Sequence, residues 1–257
     1  MENSWRLLLS GAGEGHYNMA VDDILMESVR EGGAPTLRLY SWSRPTLSLG
    51  RNQPARGLYA TDVLSRAGVE VVRRQTGGRA VLHHHELTYS VMLPDRALGS
   101  ARTTYLMINQ LLVEAVRSLG IDARLQGSGS PAPTLDERPC FADPAPGEVV
   151  ASGRKLIGSA QVRRQNTLLQ HGSIPLERSR VLDALPKQIA ATIDGSAAYL
   201  QTLLPRPLEA NALSEAILQC WTAAAGELTQ DCLTPGECRR INSRSSFYCD
   251  DEWTWRR

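Results

Sequence analysis

The chain has 257 residues, 42% of them hydrophobic and 21% charged, with a net charge of +1. That length can bury a full core, and the balanced composition excludes chain-wide disorder and the broad basic field of a nucleic-acid binder. With no 18-residue apolar run, and with a start (Met1-Glu2-Asn3-Ser4-Trp5-Arg6) unlike a signal peptide, neither a membrane span nor secretion is expected.

In chain order, Asn18 is expected to cap a helix with Val21, Ile24, Leu25 and Val29 on one face, ended by Gly32-Gly33. Thr36 to Trp42 alternates like a strand, Pro45 turns the chain, and Thr46 to Gly50 continues extended. A helix about Tyr59 to Ala67 precedes a strand at Val69 to Arg73. A Gly-Gly turn at 77–78 then leads to strands Arg79 to Leu82 and Glu86 to Leu93. Thr103 to Leu119 is an amphipathic helix, with Leu106, Leu111, Leu112, Val113 and Val116 toward the core. After a short strand at Ile121 to Leu125, the Gly/Ser/Pro/Ala-rich segment 127–147 is a loop of about twenty residues, a length that is either functional or disordered. Strands Glu148 to Ala151 and Lys155 to Arg163 are joined at Gly153, and Thr167 to Gln170 leads into His171-Gly172-Ser173. Arg178 to Gly226 is mostly helical, and the tail from Leu233 is polar and irregular. Strands clustered in hairpins predict an α+β fold with a mixed, largely antiparallel sheet flanked by helices.

Five cysteines, odd in number and without a CxxC pair, indicate free thiols in a reducing cytoplasm. Cys232, Cys238 and Cys249 are incidental thiols in the polar tail, and Cys220 lies on an apolar helical run as a core residue. Cys140 differs, standing between Pro139 and Phe141 in the long loop, where it is either an exposed nucleophile or an inert thiol. Fifteen positions later, Gly153-Arg154-Lys155-Leu156-Ile157-Gly158-Ser159-Ala160-Gln161 reads as a strand holding an ammonium against a tight turn.

In Arg73-Arg74-Gln75-Thr76-Gly77-Gly78-Arg79-Ala80-Val81-Leu82-His83, two glycines can bring backbone N–H groups close to an anionic or carbonyl oxygen; the alternative is a plain turn. Strand alternation would put His83 and His85 on one face. No third ligand stands at a metal-site spacing, so a histidine packed at a pocket floor is expected and no metal.

Together, Tyr17 to Asp23, Pro45 to Gly50, Arg73 to Ser90, Cys140 to Gln161 and Leu169 to Ser173 resemble, in order, the biotin/lipoate protein ligase and acyltransferase family. The resemblance implies one catalytic domain over 1–257, with the tail from about 233 as an addition. It also implies a mixed sheet shared with biotin ligases and an acyl tunnel into which Lys155 points. Arg74, Thr76, Gly77, Gly78, His83, Tyr89, Gly158, Ser159, Ala160 and His171 would bind substrate. Within the family, Cys140-Phe141 and Gly77-Gly78-Arg79 resemble the cysteine-dependent octanoyltransferases more than the ATP-using lipoate ligases. The departures are His84, where relatives often carry Asp, and the loop Ala142 to Gly147.

The implied reaction uses no cofactor. Cys140 takes an octanoyl group from octanoyl-acyl carrier protein and passes it to a lysine of a lipoyl domain or of the glycine cleavage H protein. Lys155 would favour the thiolate and take the acceptor's proton, with N–H groups near Gly77-Gly78 or Gly158-Ser159 binding the oxyanion. ATP-dependent lipoate ligation, amidotransfer between lipoyl proteins and non-catalytic lipoyl-domain binding are the alternatives.

Overall fold

A computed structural model describes residues 4–127, 141, 144–194, 197–209 and 211–257. The first half runs β1 (Trp5–Gly13), α1 (Gly15–Arg30), β2 (Thr36–Trp42), β3 (Thr46–Leu49), α2 (Thr61–Arg66), β4 (Glu70–Arg73), β5 (Val81–His83), β6 (Glu86–Pro94) and α3 (Ala101–Ser118). The second half runs β7 (Ala123–Leu125), β8 (Val149–Ala151), β9 (Arg154–Arg164), β10 (Thr167–Pro175), α4 (Val181–Ala184), α5 (Lys187–Ile193), α6 (Leu200–Leu203), α7 (Ala212–Ala225), β11 (Leu228–Gln230), α8 (Pro235–Cys249) and α9 (Asp251–Thr254).

The large sheet has the order β11-β1-β2-β6-β10-β9-β8-β7, parallel at its two β1 pairings and antiparallel elsewhere. A small sheet, β4-β3-β5, stands apart. The α+β fold with a largely antiparallel sheet therefore matches expectation. Helix α3 starts at Ser100, whose Oγ accepts the Thr103 N–H, and it buries Ile108, Leu111, Leu112, Ala115 and Val116 at helical spacing. With α7 it covers one sheet face, while α1 packs on the other beneath α8. Every residue of β10 is buried, so its polar side chains Gln170, His171 and Ser173 must find partners inside the protein. No helix among the described residues is long and apolar enough to cross a membrane.

Three local expectations are corrected. Asn18 lies inside α1 rather than at its cap: Glu70 of β4 accepts the Gly15 and His16 N–H groups, and Asn18 Nδ2 donates to the Gly13 and Ser41 carbonyls. The segment at Gly77-Gly78 does not close a hairpin, because β4 and β5 lie on opposite sides of β3 and the chain crosses over the end of that strand. Strand β5 stops at His83, and His85 takes a positive φ of 42°, so the two rings do not share a strand face.

The tail is likewise not irregular. Thr234 and Glu237 form a capping box with Pro235 between them, and Glu237 also takes both terminal nitrogens of Arg6 at 2.6 and 2.8 Å. Only Ile241 and Tyr248 supply buried apolar surface from α8. Arg240 and Arg244 hold it to Glu27, Glu31 and Asp23, a fastening that apolar periodicity does not register. Burial opposes ionisation of Glu237, yet Arg6 and the Thr234 N–H bring its pKa down to about 2. Glu237→Gln is expected to cost about 1–2 kcal/mol by leaving Arg6 with Asp231 as its one carboxylate partner and weakening the cap, measured by urea unfolding at neutral pH.

Candidate functional site

The two sheets enclose a mostly apolar cavity of about 350 Å³, at the small end of the roughly 300–1,000 Å³ usual for ligand sites. One wall comes from the β8–β9 hairpin. Its tight turn at Ser152-Gly153, both at positive φ, pairs Val150 with Lys155 and sends the lysine inward. Lys155 is 2% exposed, and its Nζ lies 2.6 Å from Glu148 Oε1; Glu148 Oε2 accepts the Ala145 N–H at 2.7 Å. The Phe141 ring centroid is 5.1 Å from Nζ. Gly158 makes this cluster possible, since a Cβ there would meet the Phe141 ring at 2.9 Å and Lys155 Cε at 3.1 Å.

The floor is His83, stacked on Trp42 with ring centroids 4.0 Å apart. Its Nδ1 lies 2.8 Å from Glu86 Oε1, which makes Nδ1 the donor, and Nε2 lies 2.7 Å from Ser48 Oγ. Glu86 also accepts Trp42 Nε1–H and the Thr88 and Ser173 hydroxyls, so the ring is held from three strands. Arg74 braces the rim: its guanidinium donates to the Ser48, Gly77 and Arg79 carbonyls and to Ser48 Oγ. Arg73 turns the opposite way, toward the Gly50, Gln53 and Thr254 carbonyls.

The third wall is β10 with the edge of β9. Here His171 Nε2 lies 2.6 Å from Thr76 Oγ1, and Nδ1 lies 3.3 Å from Asp22, which Arg38 and Ser90 also hold. Burial pushes the His171 pKa below its ordinary 6.5 more than Asp22 raises it. Burial alone would raise the Asp22 carboxyl, but His171 and Arg38 hold it below its ordinary 3.8. Both groups are depressed in the folded state, so unfolding takes up protons as pH falls. Stability is expected to be full above about pH 6.5, to drop as the unfolded histidine protonates, and to drop again below about 3.8. Urea melts of wild type and His171→Gln across this range test the assignment, since the variant loses the upper segment and keeps only the part of the lower one that Arg38 supports.

Of the expected binding residues, Arg74, Gly78, His83, Gly158, Ser159, Ala160 and His171 line the cavity, as does Lys155, expected to be catalytic. Thr76 and Tyr89 stand behind its wall. Tyr89 OH lies 2.8 Å from Ser159 Oγ and accepts from Gln170, and burial pushes its pKa up to about 12. Gly77 is exposed at the turn. Gly172 lets Tyr89 approach, since a Cβ there would lie 2.5 Å from the ring and 2.7 Å from the Gly158 carbonyl. Gly172→Ala is expected to cost about 1–3 kcal/mol, seen as a melting point lower by roughly 2–4 °C per kcal/mol.

Cys140 lies outside the described residues. Cys220 is half-buried on α7, while Cys232, Cys238 and Cys249 are exposed thiols. Among the described residues no three His, Cys, Asp or Glu side chains converge as metal ligands. Sequence reasoning missed the functional placement of Glu148, Glu86, Ser48 and Asp22. Only Glu148 had a usable signal, seven residues before Lys155 across a two-residue turn.

The family model for the lipoyl protein ligase A/B catalytic domain matches residues 14–222. The chain therefore belongs to the lipoyl protein ligase A/B catalytic domain family. It is 37% identical to a Kyrpidia tusciae protein named octanoyltransferase LipM, over 99% of both chains. It is 35% identical to the octanoyltransferase LipM of Moorella thermoacetica, over 99% and 98% of the two chains. Among solved structures, a T. acidophilum protein with bound lipoic acid superposes with a TM-score of 0.80 over the whole of both chains at 23% identity. Lipoate-protein ligase A bound with ATP superposes at 0.77 over 99% of both chains at 22% identity. At those identities the two structures speak for the fold.

Proposed function

We propose that the chain is an octanoyltransferase of lipoate biosynthesis, moving an octanoyl group from a carrier thioester through Cys140 to a lysine of a lipoyl domain or of the glycine cleavage H protein. The observation that carries this reading is the buried Lys155–Glu148 pair beside Phe141 at the end of an apolar cavity, because Phe141 directly follows Cys140 in the chain. The relatives named octanoyltransferase, similar along almost their full length, support the same chemistry.

In the first step the Cys140 thiolate attacks the octanoyl carbonyl, and the tetrahedral intermediate expels the carrier thiolate, which takes up a proton. Lys155 supplies positive charge that favours the attacking thiolate, and Glu148 fixes where that charge sits. In the second step the neutral amine of the acceptor lysine attacks the acyl-Cys140 thioester, Lys155 passes its own proton to the Glu148 carboxylate as it takes the proton that the amine loses, and the Cys140 thiolate departs beside the restored ammonium. Backbone N–H groups at Gly77-Gly78 or Gly158-Ser159 would hold the oxyanion. His83, hydrogen-bonded to Glu86 and stacked on Trp42, forms a rigid floor for the acyl tail. Thioester for thioester is a near-even exchange and thioester to amide runs downhill, so no ATP is needed.

Octanoyl-acyl carrier protein and an apo lipoyl domain, incubated with the protein without ATP, should yield octanoylated domain by intact mass. Without acceptor, an octanoyl adduct should form on the enzyme. Transfer that begins only when ATP and free acid are added would sink the proposal in favour of ligation.

A further inference from the structure

One patch carries charge that the fold leaves unneutralised. Arg51 and Arg56 lie on the loop after β3, Arg256 and Arg257 follow α9, and Arg73 lies beneath them. These segments are laced together through backbone acceptors. Arg256 donates to the Arg51 carbonyl, Arg56 Nε to the Trp255 carbonyl, Arg73 Nε to the Thr254 carbonyl, and the Ala55 and Arg56 N–H groups both donate to the Arg257 carbonyl. Among the described residues no Asp or Glu side chain forms an ion pair with any of the five arginines.

The strain of this crowding is visible twice. Burial, then Arg256, Arg74 and Arg257, bring the Arg73 pKa down to about 10, and burial, Arg51 and Arg257 lower that of Arg256. One terminal nitrogen of Arg73 and Nε of Arg256 are buried without a hydrogen-bond partner among the described residues. Like charges held together with unused donors oppose folding. An anionic partner would relieve both costs.

At Arg51 the patch adjoins the exposed Gly77-Gly78 turn. The Arg51 N–H donates to the Thr76 carbonyl at 2.8 Å, and the Gly78 carbonyl comes so close to Gly50 that a Cβ there would sit 1.8 Å away. Gly78 and Arg79 line the cavity itself. With a net charge of only +1 on the whole chain, this concentration is local. Its sign fits the donor of the proposed reaction, because a carrier thioester arrives on a phosphopantetheine arm whose phosphodiester is anionic.

We propose that Arg51, Arg56, Arg256 and Arg257 form the docking face for the acyl-donor protein, receiving its acidic surface and the phosphodiester of its arm beside the Gly77-Gly78 turn. This rests on the acyl-transfer reading above. Docking here lets the arm enter the cavity past Gly78 while the face steers the acidic partner into place.

The test compares two donors, octanoyl-acyl carrier protein and the neutral octanoyl-N-acetylcysteamine, with wild type and the Arg56→Glu/Arg257→Glu variant, both folded by circular dichroism. The ratio of kcat/KM for the carrier to that for the small thioester should fall roughly tenfold in the variant, through KM. For wild type, raising salt from about 0.05 to 0.5 M should lower the same ratio. Should the variant not fold, Arg56→Gln and Arg257→Gln read the same ratio singly. Unmoved ratios in active protein would overturn the docking face alone. Wild type inactive with both donors would overturn the acyl-transfer reading and the docking face with it.

Discussion

Lys155→Met is expected to lower acyl transfer by roughly 10²–10⁴-fold and to cost about 3–5 kcal/mol of stability in the same stroke. The two effects have different origins. The stability loss comes from Glu148, whose carboxylate is left buried with the Ala145 N–H but without the ammonium 2.6 Å from its other oxygen. On the proposed mechanism the activity loss comes from removing the charge that favours the Cys140 thiolate and the relay that carries the acceptor's proton to Glu148. A second substitution separates them. Lys155→Met with Glu148→Gln replaces the pair by a neutral couple of similar size, and unfolding should return to within about 1–2 kcal/mol of wild type. Transfer should stay as low as in the single variant. Urea unfolding and initial rates on the three proteins check this, and recovery of activity in the double variant would rule out a chemical role for Lys155.

Cys140→Ala is expected to abolish octanoyl transfer from the carrier thioester, with no enzyme adduct in the mass spectrum of a reaction lacking acceptor. Cys140→Ser is the sharper test. A hydroxyl is not ionised by one nearby ammonium, so the serine protein should also lose transfer by about 10³-fold or more, consistent with nucleophilic catalysis by a thiolate. Adduct on wild type and none on either variant is the expected pattern. Full activity in Cys140→Ala would remove the cysteine from the mechanism and leave ATP-dependent ligation as the reading to pursue.

Much of the fold was legible because its elements carry local signals. The α3 leucines fall at helical spacing, β2 alternates, and Gly153 marks the turn between β8 and β9. The misread segments lack such signals for identifiable reasons. Helix α8 is held by Arg240 and Arg244 to acids on α1, so its sequence shows few apolar residues to count. The start of α1 is capped by Glu70, 55 residues away, and no local window could contain that partner. Gly77-Gly78 looked like a hairpin because adjacent strands usually pair, yet β3 lies between β4 and β5.

The site divides in the same way. Lys155, His83, His171 and the glycines beside them could be named from the order of motifs along the chain, because residue type and spacing are properties of the chain itself. Their environments could not. That Lys155 is paired with Glu148, that His83 is clamped by Glu86 and Ser48, and that Tyr89 supports the wall from behind all depend on strands distant in sequence meeting across two sheets. The sequence by itself determined which chemical groups this protein has available and in what order. Only the tertiary structure decided which charges are buried together, because the energy of a buried charge depends on partners brought by other strands and not on its neighbours along the chain.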